Sequence, residues 1–464
     1  MTLASVLESA STAPLSSGIE ERPLLPSSDE GRSDRHCRLG VDLNQYPAVI
    51  QRQAFPQIIS KRNRGLGWPI ARALTASTLG QVPNPVMLTH IVTTRCNYLC
   101  SFCSFADTLN AKTDDLTVDE IERVYATMGN NLNTIVYSGG ETTLNRQLPE
   151  IIESAYRNTP VKSVYIISNA WKPNHLVEIT HQVLQRCPGL HLTWSLSIEG
   201  PRSHNNTERR THAEGWDAWQ NTIDTMEALK AIRQRFGYDQ LNVQLCTVCT
   251  PDNHHLLPEW YRTVRDDLQP DKWNLNLMRK SVQMGEHAMK SFEERRQSGA
   301  LEPFEATYLA ITERVRHDVV SGRLKFLYNT DFPLDGALKS AVDLLSQEAN
   351  RNTVMQAKQS FGCKAGSMGA YLSSTGLVSG CEEFAHNPIA NKAFGNVRDV
   401  DYDFQALWRS PEASAIRCKV GKSSECNGCT LESQRNYPAI LVSPQSLVQA
   451  AVLGTQLLVK TPTP

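Results

Sequence analysis

The sequence has no surplus of either charge. Among 464 residues, 47 Lys and Arg face 48 Asp and Glu, a formal net charge of −1 at pH 7. That balance argues against nucleic acid or an anionic membrane as a partner, because phosphate binding needs clustered positive charge. Long apolar runs are missing too. The longest candidate, near 447–459, is broken by Gln449, Gly454 and Gln456, short of the roughly 18 residues that span a bilayer. The N-terminus carries Glu8 and has no basic start leading into an apolar stretch, so it does not read as a secretory signal. No repeat of about 20–50 residues is visible. What is present is an ordinary globular mix, 40% hydrophobic and 20% charged, with ample material for a core.

Cysteine, by contrast, is plentiful, with twelve in the chain. A cytoplasmic location is expected, so the thiols stay reduced and their clusters point to metal or redox sites rather than disulfides.

The expected organisation runs as follows. Residues 1–40, rich in Ser, Pro and Glu, read as a disordered leader. Residues 41–85 read as a helical segment with short helices at Tyr46–Gln53 and Gly67–Leu74. Over 86–285, strands alternate with helical patterns. The strands are Met87–Thr93, Thr134–Tyr137, Ser163–Ser168, Leu192–Ile198, Leu241–Cys249 and Trp273–Met278. Six βα units predict a parallel sheet curled into a partial (β/α)6 TIM-type barrel, an α/β fold whose chemistry sits on the loops after the strands. Residues 286–357 read as a helical connector. Residues 358–435 read as a small Cys-rich module held by something other than an apolar core, and 436–464 as a tail with a docking helix.

After the first strand comes Thr93-Thr94-Arg95-Cys96-Asn97-Tyr98-Leu99-Cys100-Ser101-Phe102-Cys103. Three thiolates spaced C-x3-C-x2-C can share one metal centre. Structural zinc wants a fourth ligand, and none follows nearby. A four-iron cluster held by three thiolates keeps one iron open. This segment resembles the signature of the radical SAM superfamily, C-x3-C-x-aromatic-C, met by Cys96, Cys100, Phe102 and Cys103. Other stretches agree. Ser138-Gly139-Gly140-Glu141 is similar to the family's Gly-Gly-Glu, which meets the amino group of S-adenosylmethionine. Ser168-Asn169-Ala170 is similar to Thr-Asn-Gly. Ser197-Ile198-Glu199-Gly200-Pro201 with His204 and Arg209 resembles Ser-x-Asp-Gly-Pro…His…Arg. By that resemblance Ser197 approaches the ribose, and Arg209 the methionine carboxylate, with Arg210 as the alternative. The chain departs from the family at Thr142, where Pro is usual, and at Glu199, where Asp is usual.

A second set reads Cys363, Gly376, Cys381, then Cys426-Asn427-Gly428-Cys429. Two close pairs suit either zinc or a fully ligated iron–sulfur cluster. The pattern resembles the auxiliary-cluster domain of twitch and SPASM radical SAM enzymes. With no cysteine after Cys429, it resembles the shorter twitch form, which implies one auxiliary [4Fe-4S] cluster on Cys363, Cys381, Cys426 and Cys429, with Cys418 as the rival ligand.

Cys246 and Cys249 lie an odd number apart on one strand, so they face opposite ways and read as core. Cys187 and Cys37 read as incidental. His254-His255 read as solvated rather than ligating, and Lys230–Arg235 as a charged helix end rather than a nucleic-acid patch.

The resemblance implies reductive cleavage of S-adenosylmethionine and hydrogen abstraction from a substrate by a 5′-deoxyadenosyl radical. It also implies an electron donor such as flavodoxin or ferredoxin. The substrate is expected to be a small sugar-like or natural-product molecule. A ribosomally made peptide is the alternative, and a non-catalytic iron–sulfur or zinc protein is the alternative of another class.

Overall fold

The computed structural model describes residues 81–106, 108–211, 213, 215–238, 240–278, 301–324, 333–356, 359–385, 392–423, 426 and 429–460. The expected leader, the helices at 46–53 and 67–74, and Cys37 lie outside the described residues.

Six parallel strands form the heart of one sheet: β1 (Met87–Ile91), β2 (Thr134–Ser138), β3 (Ser163–Ser168), β4 (His191–Ser197), β5 (Leu241–Cys249) and β6 (Lys272–Leu277). They neighbour one another in chain order. The intervening helices are α1 (Val118–Thr127), α2 (Leu148–Asn158), α3 (Pro173–Arg186), α4 (Ala218–Phe236) and α5 (Leu257–Thr263), the last continued by a π-helical turn at Val264–Leu268.

Local chemistry sets the boundaries. Thr117 and Glu120 form a capping box at the start of α1, and Gly237 at φ 63° ends α4, satisfying backbone groups that the helix leaves unpaired. The two sheet faces differ. Leu192, Trp194 and Leu196 on β4 and Leu241, Val243 and Leu245 on β5 are fully buried. The Trp194 ring donates to Thr180 of α3 at 2.7 Å, which puts this apolar face under the helices. On the opposite face Ser195 stands in register with Gln244 and Lys272, and Ser197 with Cys246 and Asn274. The inner face is therefore polar.

The C-terminal module corrects one expectation. Its strands β7 (Gly369–Leu372), β8 (Leu377–Ser379) and β9 (Ala393–Asn396) extend the same sheet, in the order β9-β8-β7-β1-β2-β3-β4-β5-β6. β7 pairs in parallel with β1, Leu88 opposite Ala370. Ala370, Leu372, Val378, Phe394, Val397, Phe404, Leu407 and Trp408 belong to the main apolar core. The module is thus held by apolar burial as well as by its cysteines. Strands of three or four residues with embedded glycine leave too short an alternation to register in the sequence. Arg398 and Tyr402 also reach Glu120 of α1, and the Trp408 indole donates to the Pro83 carbonyl at 2.9 Å.

Beyond the six-strand core, and besides several short helices, lie three long ones: α6 (Pro303–Val320), α7 (Pro333–Gln356) and α8 (Pro444–Lys460). α8 docks on α7. A Cβ on Gly454 would stand 3.0 Å from Leu338 Cδ2, so the missing side chain permits the close crossing. Among the described residues no helix is long and apolar enough to cross a membrane.

β6 is tied to α7 by a buried ion pair, Lys272 Nζ to Asp343 Oδ1 at 2.5 Å. Tyr437 donates to the same oxygen at 2.5 Å, and Gln347 to Oδ2 at 3.1 Å. Removing one member of such a pair leaves an uncompensated buried charge. Asp343→Ala is expected to lower unfolding stability by about 3–5 kcal/mol, read by chemical denaturation. Lys272→Met combined with Asp343→Leu should recover most of that loss.

Candidate functional site

The loops after the parallel strands enclose a cavity of about 240 Å3. It is lined by Cys96, Cys100, Phe102 and Cys103 after β1, and by Gly139, Gly140 and Glu141 after β2. Ser168 and Asn169 come from β3 and the loop after it, Ser197 from the end of β4, and Arg209 from further along. The three cysteines and the eight residues expected around the cofactor therefore border one space, whereas Ala170, Glu199, Gly200, Pro201, His204 and Arg210 of the same motifs do not line it. The cavity is also lined by Tyr98, Ser104, Leu109, Ile167, Val248, Asn276, Leu277 and Met278, which sequence reasoning did not assign to the site. Val248, Asn276 and Leu277 lie at the C-terminal ends of β5 and β6. The strand-end rule points there, but no motif marks them.

The cysteine loop is clamped on both sides. Leu99–Cys100 pairs antiparallel with Arg209–Arg210, Cys100 opposite Arg209. Asn110, at φ 59°, accepts the Cys96 N–H at 2.9 Å and donates to the Cys96 carbonyl at 3.0 Å. On the other side Gly140 donates its N–H to the Thr93 carbonyl at 2.9 Å, and Glu141 to the Arg95 carbonyl at 2.7 Å. A Cβ on Gly139 would stand 2.4 Å from the Thr93 oxygen, and one on Gly140 2.3 Å from the Arg95 oxygen. The two glycines are thus required by backbone-to-backbone contact with the cysteine loop, whereas the sequence suggested close approach of a ligand.

Two expected side-chain roles change. The Glu141 carboxylate is 1% exposed and already occupied. Oε1 accepts from Thr143 N at 3.1 Å, Thr143 Oγ1 at 2.5 Å and Ser168 Oγ at 2.8 Å, and Oε2 from Asn169 N at 2.6 Å. It braces the loops after β2 and β3. Burial raises its pKa against the pull of those donors. Arg209, expected to clasp a carboxylate with its fork, gives Nε and Nη2 to Glu199 Oε1 at 3.0 and 2.6 Å. Only Nη1 is turned toward Cys100, 3.7 Å from its sulfur. Glu199 in turn accepts the Val248 N–H at 2.7 Å, so the carboxylate longer than the family's Asp fastens the Arg209 strand to β5. Arg210, the rival residue, is exposed. Ala170 adopts φ 56°, a left-handed conformation where the family has Gly.

The donor set fits a metal–thiolate centre. Tyr98 N donates to Cys96 sulfur at 3.5 Å, Phe105 N to Cys103, and Arg209 to Cys100. Burial pushes the Cys96 thiol up to about 12 and raises those of Cys100 and Cys103. Without a bound cation these buried thiols stay protonated at neutral pH.

The second cavity is lined by Cys363, Cys381, Cys426 and Cys429, with Ala365, Phe384, Leu431 and Arg435 among the other walls. Each sulfur accepts one backbone N–H, from Ala365, Phe384, Gly421 (3.2 Å) and Leu431 (3.5 Å) respectively. Burial pushes Cys363 up to about 12 and Cys381 well above the ordinary thiol value. Cys418 is exposed and outside the lining. Among the described residues no three His, Cys, Asp or Glu side chains are arranged to hold a single metal ion.

Of the residues set aside, Cys249 donates to the Phe304 carbonyl at 3.3 Å, and Asn276 donates to Cys246 sulfur at 3.3 Å. Cys187 is buried at the end of α3.

Residues 90–241 match the radical SAM superfamily, and residues 363–430 match SPASM, an iron–sulfur cluster-binding domain. The chain is a radical SAM enzyme with a C-terminal SPASM-like domain. Its cofactors are [4Fe-4S] clusters and S-adenosylmethionine. No curated protein matches this radical SAM chain by sequence. Among solved structures, anSMEcpe with bound AdoMet is 13% identical over 81% of this chain and 98% of that one, with a TM-score of 0.46. Streptococcus suis SuiB bound to S-adenosylmethionine is 15% identical over 90% and 84%, with a TM-score of 0.47. BtrN in complex with AdoMet and 2-DOIA is 12% identical over 76% and 98%, with a TM-score of 0.34.

Gly140→Ala drives a methyl group into the Arg95 carbonyl. Iron and sulfide counting on the reconstituted variant should show loss of about half the iron, from the first cavity alone. Cys426→Ala should lose a similar half from the second.

Proposed function

We propose that Cys96, Cys100 and Cys103 hold the cluster that binds S-adenosylmethionine. Phe102, Gly139, Gly140, Glu141, Ser168, Asn169, Ser197 and Arg209 shape the cofactor pocket around it. Cys363, Cys381, Cys426 and Cys429 hold one auxiliary cluster. The substrate is a small, hydroxylated, sugar-like or natural-product molecule. The single observation carrying this proposal is the convergence of the three thiols and the strand-end motifs on one cavity. When bound, the first cluster supplies the electron that cleaves S-adenosylmethionine to methionine and a 5′-deoxyadenosyl radical, the species that takes a hydrogen atom from substrate.

The chain's own residues do the rest. Gly139 and Gly140 admit the cysteine loop against β2, and Glu141 fixes the adjoining loop so that its main chain is presented rigidly. Arg209 places a guanidinium edge beside Cys100. Ile167, Leu277 and Met278 are among the apolar residues of the wall. Support for a hydroxylated substrate comes from the polar inner face of the sheet, where Ser197 and Asn276 reach the cavity above Ser195, Gln244 and Asn274. Neutral hydroxyl and amide groups suit neutral hydrogen-bonding partners. A cytoplasmic location and a flavodoxin or ferredoxin donor complete the proposal.

The test is anaerobic reconstitution followed by an assay for 5′-deoxyadenosine with reductant. Wild type should form it and Cys100→Ala should form none. Product from the Cys100 variant would overturn the site, and none from the wild type would favour a non-catalytic iron–sulfur protein. Deuterium-labelled sugars and peptides, offered separately, decide the substrate. Label in 5′-deoxyadenosine from peptides alone would replace the small-molecule assignment.

A further inference from the structure

Arg435 is one of the largest fully buried side chains, 1% exposed, and it forms part of the wall of the second cavity beside the four cysteines. All three of its nitrogens bond neutral acceptors. Nη1 donates to the Cys429 carbonyl, Nη2 to Asn350 Oδ1 at 2.9 Å and Nε to Asn436 Oδ1 at 2.7 Å. Among the described residues no carboxylate forms an ion pair with it. Glu432, three residues earlier, accepts from Asn350 Nδ2 at 3.1 Å and lies in the field of Lys272. The same Asn350 amide therefore bonds both the carboxylate and the guanidinium.

A buried cation with neutral partners alone is costly, because desolvation is not offset by an opposing charge. Arg417, in the same module, meets a different environment. It lies over the rings of Phe394 and Trp408, 5.1 and 4.9 Å from their centroids, and does not line the cavity. Among the described residues no aromatic ring lies over Arg435 in this way. What it borders is a space ringed by four thiols, with Glu383 also on its lining but in no ion pair with Arg435 among the described residues, and thiolates around a four-iron core carry net negative charge.

We propose that Arg435 is the electrostatic partner of the auxiliary cluster, and that its positive charge raises the reduction potential there. The proposal rests on the auxiliary-cluster assignment above and adds the source of that cluster's compensating charge. Adding an electron to a buried anionic centre is opposed by its own charge. A fixed cation in the same low-dielectric wall favours the reduced state. The bond from Nη1 to the Cys429 carbonyl holds the guanidinium at that wall.

The experiment is a redox titration of the full-length, anaerobically reconstituted chain followed by electron paramagnetic resonance, on wild type, Arg435→Lys and Arg435→Gln. The first cluster serves as an internal reference. Arg435→Gln should move the auxiliary potential to a more negative value and leave the first cluster's unchanged, while Arg435→Lys should stay near wild type. An unchanged auxiliary potential in the Gln variant, or equal shifts in Gln and Lys, overturns the proposal. If the Gln variant loses the auxiliary iron altogether, retention in the Lys variant supports the role of charge, and loss in both overturns it. Wild type holding about four irons rather than about eight would instead sink the auxiliary-cluster assignment itself.

Discussion

The cysteine loop after β1 can hold three thiols around one space only because the main chain after β2 lies flat against it. Gly139 and Gly140 bring the two backbones to bonding distance of each other, with carbonyls where side chains would be. Around that contact the other supports are arranged. The Arg209 strand closes the opposite flank, Glu199 ties that strand to β5, and Glu141 locks the loops after β2 and β3. Five strand ends, β1 to β5, are thereby joined through buried carboxylates and main-chain bonds. Such networks are rigid when every member is satisfied.

Much of this was legible in the residues. The six parallel strands announced themselves because β-branched and apolar runs alternate with helical patterns over nearly 200 residues. β3 and β5 run over the expected spans, Ser163–Ser168 and Leu241–Cys249. The thiol spacing pointed to the first cavity, and the paired cysteines to the second. What the residues hid was how the motifs divide their labour. Glu141 reads as a ligand group, yet its burial demands internal donors, and Thr143, Ser168 and Asn169 supply them. Arg209 reads as a carboxylate clamp, yet the extra methylene of Glu199 meets it first. Val248, Asn276 and Leu277 carry no motif, because their place in the cavity comes from strand register alone.

The C-terminal module was the hardest part to foresee. Its strands are short, and its partner, β1, is almost 300 residues distant in sequence. Only the folded sheet shows that Leu88 stands beside Ala370 and that Phe394, Phe404 and Trp408 enter the same core as the barrel. The buried polar cluster of Lys272, Asp343, Tyr437, Asn350 and Arg435 has a similar origin. None of these residues forms a recognisable pattern, yet together they link β6, α7 and the wall of the second cavity.

Because β7 covers the outer flank of β1, the strand that launches the first thiol trio is an interior strand. The two halves of the chain are therefore not separable cassettes. Cutting away the C-terminal part would strip one side of β1 of its ladder, uncovering hydrogen-bonding groups that invite association with other chains. The scaffold that presents one inorganic centre is in this sense finished by the segment that surrounds the other.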